Sequence, residues 1–168
     1  MSEIVEHTLE PIFDDRSRVL ILGTMPSPAS REQGFYYGHP QNRFWRVMER
    51  LFNLEQKTLV ANDARRAFLL REHIALWDVL ASCQIDGASD ASIRNARPND
   101  LMRVIGRAPI ACIFTTGQKA AQLYRRLCQA QTHRDTIALP STSPANAAKS
   151  LDDLVDAYRV VVDALRQP

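Results

Sequence analysis

Residues 34–45 read GFYYGHPQNRFW, and two tyrosines, a His-Pro step, side-chain amides and an aromatic pair within so short a stretch are too polar and too aromatic for an ordinary connecting loop. A phenol ring offers a flat apolar face with a polar tip, and an amide orients a polar guest without carrying charge. Three other stretches carry candidate groups: GTMPSPAS at 23–30, LWDVL at 76–80 and LPSTSPAN at 139–146. Taken as a nucleophile, Ser27 would need a base such as His39 and an Asp. The G-x-S-x-G elbow is absent, however, and Ser27 lies between two prolines that should hinder a helix starting there. TTGQK at 115–119 lacks the glycine spacing of a nucleoside triphosphate loop. Cys83, Cys112 and Cys128 are odd in number and follow no CxxC or Cys/His ligand spacing, so neither a disulfide framework nor a zinc or iron-sulfur site is expected.

The elements that must position these groups are legible from apolar periodicity. Arg18 to Gly23 (RVLILG) reads as a buried strand entering a loop. Phe44, Trp45, Met48, Leu51 and Phe52 fall at helical spacing, so the aromatic loop feeds straight into a helix, and a second helix covers roughly 62–72. Ile74 to Leu80 (IALWDVL) reads as another buried strand. The polar segment after it, SCQIDGASDASIRNARPND, reads as a surface loop, with Asn99 capping a helix over 100–107. Pro109 to Thr115 makes a third strand, Gly117 opens a helix to about Cys128, and Thr136 to Leu139 makes a short fourth strand. Ser150 and Asp153 form a capping box for a last helix whose stripe is Leu151, Leu154, Val155, Tyr158, Val162 and Leu165. Strands alternating with helices predict an α/β fold, a parallel sheet covered on both faces, in one domain over 1–168. Ligands of such sheets sit beyond the carboxyl ends of the strands, where GTMPSPAS, the loop after LWDVL and PSTSPAN all begin.

Composition narrows the classes. With 168 residues and 45% apolar content the chain can bury a normal core. The N-terminal MSEIVEHTLEP carries acids where a signal peptide needs a basic start, and no stretch approaches a membrane span, so a soluble cytoplasmic protein is expected. Net charge is only +2, yet Arg supplies 18 of the 21 basic side chains. Arginine's planar fork suits phosphates and base edges, although genomic base usage also enriches it.

GTMPS at 23–27, then GFYYGHPQNRFW, then LPSTSPAN resemble, in that order, the uracil-DNA glycosylase superfamily, and most closely its hypoxanthine-DNA (deoxyinosine) glycosylase branch. The match spans most of the chain. HPQNRFW is its most specific element, being similar to a His-Pro-x-Asn-Arg-Phe-Trp of the mismatch-specific members, and LWDVL adds support. The resemblance implies a three-layer αβα fold with a central, mostly parallel four-stranded sheet. It also implies a monofunctional, monomeric enzyme that excises hypoxanthine or uracil from DNA and needs no metal or other cofactor.

Site roles follow from the same resemblance. Tyr37 takes the place of the aromatic that stacks on the extruded base, with Tyr36 restricting the pocket. Gly23, Thr24, Met25, Pro26 and Ser27 line it, and backbone N–H groups from Met25 to Ser27 can donate to a base carbonyl. Where most members have an Asp or Asn to place the attacking water, this chain has Met25. The hypoxanthine branch uses a later Asn, which maps onto Asn42; a helix cap before Arg43 is the alternative role. Asp78 stands where relatives read the base edge. Ionised, it would only accept, matching the N1 proton of hypoxanthine or the N3 proton of uracil; protonated, it could donate as well. Pairing with an Arg is its alternative. His39 reads as scaffold. Ser141, Thr142, Ser143, Pro144 and Asn146 should form the loop pressed into the minor groove, with Leu139 replacing a leaving-group His and Pro144 the sole stiff wedge. Thr116, Gln118 and Lys119 stand at a helix start suited to phosphate. A different class, motivated by Met25, is a non-catalytic module that binds damaged DNA.

Overall fold

The computed structural model describes residues 2–168. Four strands form a wholly parallel sheet in the order β3-β2-β6-β7: β2 (Val19–Gly23), β3 (Ile74–Asp78), β6 (Cys112–Thr116) and β7 (Ile137–Leu139). Every residue of β2 and β3 is buried, including neighbours that point to opposite faces, so both faces are covered. The result is the expected αβα sandwich. The register places Gly23 beside Asp78 and Leu22 beside Thr115, which brings the carboxyl ends of β2, β3 and β6 level with one another.

The covering helices are α1 (Pro28–Gln33), α2 (Phe44–Leu51), α3 (Asn62–Arg71), α4 (Met102–Ile105), α5 (Gln118–Leu127), α6 (Gln129–Thr132) and α7 (Leu151–Arg166). In α2 the buried residues Phe44, Trp45, Val47, Met48 and Leu51 form the stripe that the spacing predicts, while Phe52 falls at the C-cap. The capping box of α7 is present: Ser150 Oγ accepts from Asp153 N and Asp153 Oδ2 accepts from Ser150 N. These bonds hold the Asp153 carboxyl below its ordinary pKa. The buried face of α7 runs through Leu154, Val155, Tyr158 and Val161, with Val162 only half-buried, and packs on α2.

Four expectations need correction. Residues 82–100 are not a loop: β4 (Leu80–Asp86) and β5 (Ser89–Pro98) form an antiparallel hairpin, and β1 (Glu3–Glu6) pairs with β4 to make a second sheet of order β1-β4-β5. IALWDVL is accordingly not one strand. Val79 N donates to Gly23 O, the chain leaves the parallel sheet there, and Leu80 begins the other one. Asn99 does not cap α4, which starts after Leu101; its amide donates to Asp78 O and Leu80 O and pins that crossover. Finally, the prolines around Ser27 do not block a helix. Ser27 is the N-cap of α1 and Pro28 occupies its first turn, where a missing N–H costs nothing.

Candidate functional site

A cavity of about 290 Å³ opens at the carboxyl ends of β2, β3 and β6. Of the predicted base-pocket residues, Gly23, Thr24, Met25, Pro26, Ser27, Tyr36, Tyr37 and Asp78 all line it, as do Asn42 and His39. Thr116, Ser141, Thr142, Ser143 and Pro144 line it too. Gln118 and Lys119 fall outside, in a neighbouring groove with Asp90, Ala91, Gln122 and Arg125. Asn146 is also outside; its amide donates to Ser141 O, which makes it a brace of its own loop.

Tyr37 sits in the left-handed backbone region with φ 54°, an uncommon state for a residue with a Cβ. Its ring stacks on Phe44 at 4.1 Å and 11°, the first residue of α2, so one face is occupied. The hydroxyl lies 3.3 Å from Thr116 Oγ1. Burial, and next the charge of Asp78, push the Tyr37 phenol well above its ordinary pKa, while the Thr116 bond works the other way. Tyr36 is buried beneath, donating its hydroxyl to Glu10 O at 2.8 Å, and burial likewise raises its pKa. Both phenols therefore stay protonated at neutral pH.

The Asn42 Oδ1 atom accepts from Phe44 N and from Thr142 Oγ1, both at 2.9 Å. A backbone N–H only donates, so Oδ1 is the accepting atom, and among the described residues the NH2 group has no partner. Asn42 thus steadies the start of α2 from the position before the Arg43 N-cap, and it faces the cavity as well. Arg43 N donates to Thr142 O, and the Arg43 guanidinium donates to the carbonyls of Ser143, Asn146 and Lys149. HPQNRFW and the 139–146 loop are stitched together across about a hundred residues of sequence.

Asp78 does not pair with an arginine. Its Oδ2 lies 2.8 Å from His7 Nε2, and both side chains are almost fully buried. The other oxygen, Oδ1, hangs over Gly23, where any Cβ would collide with it. Glycine is required here by close approach. The alternative roles for Ser27 and His39 also resolve geometrically: Ser27 Oγ accepts from Ser30 N as a cap, and His39 Nδ1 accepts from Gln41 N within its turn. Among the described residues no group of three or more His, Cys, Asp and Glu converges as a metal set would, and no helix is long and apolar enough to cross a membrane.

Two contributors escape sequence reasoning. His7 lies in a segment with no periodic signal. Ile85, Gly87, Ala88 and Asp90, from the β4–β5 hairpin, form the outer wall. A signal for the hairpin exists: Asp86-Gly87 between the alternating Cys83/Ile85 and the later Ile93 is a hairpin cue, and Gly87 adopts φ 57° in the tight turn that pairs Asp86 with Ser89.

Comparison with known proteins gives relatives over most of the chain. A hypoxanthine DNA glycosylase of Methanosarcina barkeri (strain Fusaro / DSM 804) is 30% identical over 137 residues, covering 81% of this chain and 85% of its own. A second, from Methanosarcina acetivorans, is 30% identical over 144 residues, covering 85% and 89%. A solution NMR structure from Methanosarcina acetivorans, provisionally named a uracil DNA glycosylase, superposes with a TM-score of 0.77 at 27% identity, covering 95% of this chain and 99% of that one. With residues 10–166 matched by the family model for that group, the chain belongs to the uracil DNA glycosylase superfamily.

Proposed function

We propose that this DNA glycosylase hydrolyses the N-glycosidic bond of a deaminated base, hypoxanthine or uracil, turned out of DNA into the cavity, and leaves an abasic site for base excision repair. The observation that carries the reading is the shared hollow: the Tyr37 ring and the Asn42 amide, from one loop, line the same cavity as Asp78. A stacked base cannot be cut in a duplex, so it must be extruded into a pocket with a flat wall and a few directed polar groups. Here the wall is the free face of Tyr37, backed by Phe44. The directed groups are the Asp78 carboxylate, which accepts from a ring N–H, and the backbone N–H groups of Met25 and Ser27, which donate to a base carbonyl.

Cleavage builds positive charge on the sugar and negative charge on the departing base, with water attacking late. Asn42 then needs only to place that water. Both acceptor positions of its oxygen are filled in the free protein, by Phe44 N and by the Thr142 hydroxyl. The second donor is a rotor, so a water that replaces it is held by Oδ1 beside the unpartnered NH2. The loop 141–145 lies against the same hollow, which supports its reading as the element pressed into the minor groove. The two curated relatives named hypoxanthine DNA glycosylase support the purine substrate.

The test is a single-turnover assay on duplexes and single strands bearing one inosine or one uracil, run with a chelator present. Alkali-labile breakage at the lesion is expected. Binding that weakens with salt but leaves no abasic site would instead identify a damage-binding module, the reading that Met25 motivates.

A further inference from the structure

We infer that His7, from the segment following β1, is a positioning residue for base recognition: it clamps one oxygen of Asp78 so that the other is presented to the base. The inference rests on Asp78 reading the base edge. His7 itself does not line the cavity and precedes residues 10–166, the part of the chain that matches the family.

The geometry is specific. His7 Nε2 lies 2.8 Å from Asp78 Oδ2, and because a carboxylate oxygen only accepts, the bonding tautomer is the one with its proton on Nε2; the two side chains are 2% and 5% exposed. The imidazole is fixed on its own side by Tyr36, with ring centroids 6.1 Å apart, and by the edge of Trp77 at 6.5 Å. The backbone is fixed too, because His7 N donates to Ala81 O, joining the segment to β4 immediately after the crossover at Val79. A carboxylate on a strand end can rotate about its χ2 bond, which is broad for aspartate. With Oδ2 held, Oδ1 is left over Gly23, in the region that Tyr37 Oη and Thr116 Oγ1 also approach.

The consequence is a chemical filter. An Asp78 oxygen that only accepts matches a base with a proton on its ring nitrogen, as in hypoxanthine and uracil. It opposes the bare ring nitrogen of adenine or cytosine, placing acceptor against acceptor. The selection is therefore for the lactam product of deamination over its amino parent. His7 sharpens it by denying the carboxylate a rotation that would spoil the match. Glutamine at position 7 retains an N–H donor on a flat group of similar reach; leucine fills the space and donates nothing.

Single-turnover excision of hypoxanthine tests this, with His7→Gln, His7→Leu, Asp78→Asn and the His7→Leu/Asp78→Asn double variant. His7→Leu is expected to slow excision roughly tenfold to a hundredfold, the range for losing a hydrogen bond to a charged group, while His7→Gln stays within about threefold of the parent. Affinity for an abasic duplex, which has no base to orient, should be unchanged in both. In the Asp78→Asn background, His7→Leu should add nothing, because the residue acts through the carboxylate. Equal losses for Gln and Leu, a parallel loss of abasic-duplex affinity, or full additivity in the double variant would each overturn the proposal. A variant that does not fold is read through His7→Gln, whose loss of activity with a native melting temperature would also overturn it. If the parent chain excises no base, the proposed function itself fails; a parent that excises while His7→Leu matches it sinks only the role of His7.

Discussion

The cavity is walled on one side by Gly23, Asp78 and Thr116, which end strands of the parallel sheet, and on the other by Gly87, Ala88 and Asp90 at the tip of the β4–β5 hairpin. β2 and β3 are buried along their length, and β2 pairs with β3 and β6 in unbroken register. The hairpin is different: β5 is exposed over most of its length, and its pairing with β4 is interrupted by three register shifts. Groups that must be held to a fraction of an ångström stand on the first wall, where packing leaves no room for adjustment. The second wall has fewer buried contacts to resist displacement.

Substitutions should separate the groups proposed to act on the base from the outer wall. The largest effect is expected for Asn42→Ala, which should slow excision a hundredfold or more, as loss of a key positioning group does, with abasic-duplex binding largely kept. Single-turnover kinetics and a binding titration check it, and near-normal excision moves the catalytic role elsewhere. Next comes Tyr37→Ala, expected to remove roughly 1 to 3 kcal/mol of base stacking from both affinity and rate. Binding to an abasic duplex should be unaffected, and if it falls equally, Tyr37 serves the backbone and not the base.

On the outer wall, Gly87→Ala introduces a Cβ into open space but at φ 57°, so it should cost about 1 kcal/mol of stability by forcing a left-handed alanine. Excision should change less than about twofold at a temperature where the protein stays folded, since no interaction with the reacting groups is lost. A large rate effect there would show that the hairpin is as demanding as the sheet. A last effect, on stability alone, concerns pH. Burial pushes the Cys128 thiol up from 9.0 to about 11, and Tyr36, Tyr37, Tyr124 and Tyr158 are raised as well. The folded chain thus holds more protons than the unfolded one above pH 9, and stability must fall as pH rises from there toward 11. Thermal unfolding followed from pH 8 to 10.5 reads this, and a flat profile contradicts it.

The same contrast explains what the sequence reveals. Near-continuous apolar runs such as Val19–Leu22 announce a strand covered on both faces, and Ser150 with Asp153 announces a helix start, because each is a local signal. The hairpin was hidden because β5 (SDASIRNARP) carries Ser, Asp, Asn and Arg at exposed positions and only half-buried residues elsewhere, so its alternation is faint. For the site, the motif residues converge on one cavity, but their partners could not be read: Asp78 meets His7 across 71 positions, and Thr142 meets Asn42 across 100. Such pairings depend on how distant segments pack, for which neither spacing nor composition carries information. Ser27 shows the opposite error, since a proline after a capping serine starts a helix and does not hinder one.

The cross-links from Asn42 and Arg43 to residues 142–149 also have a dynamic meaning. Neither segment can detach without breaking bonds to the other, so their amide hydrogens should exchange with solvent as one cooperative unit despite their separation in the chain. A displacement of the second segment would then be felt at the carboxamide of the first.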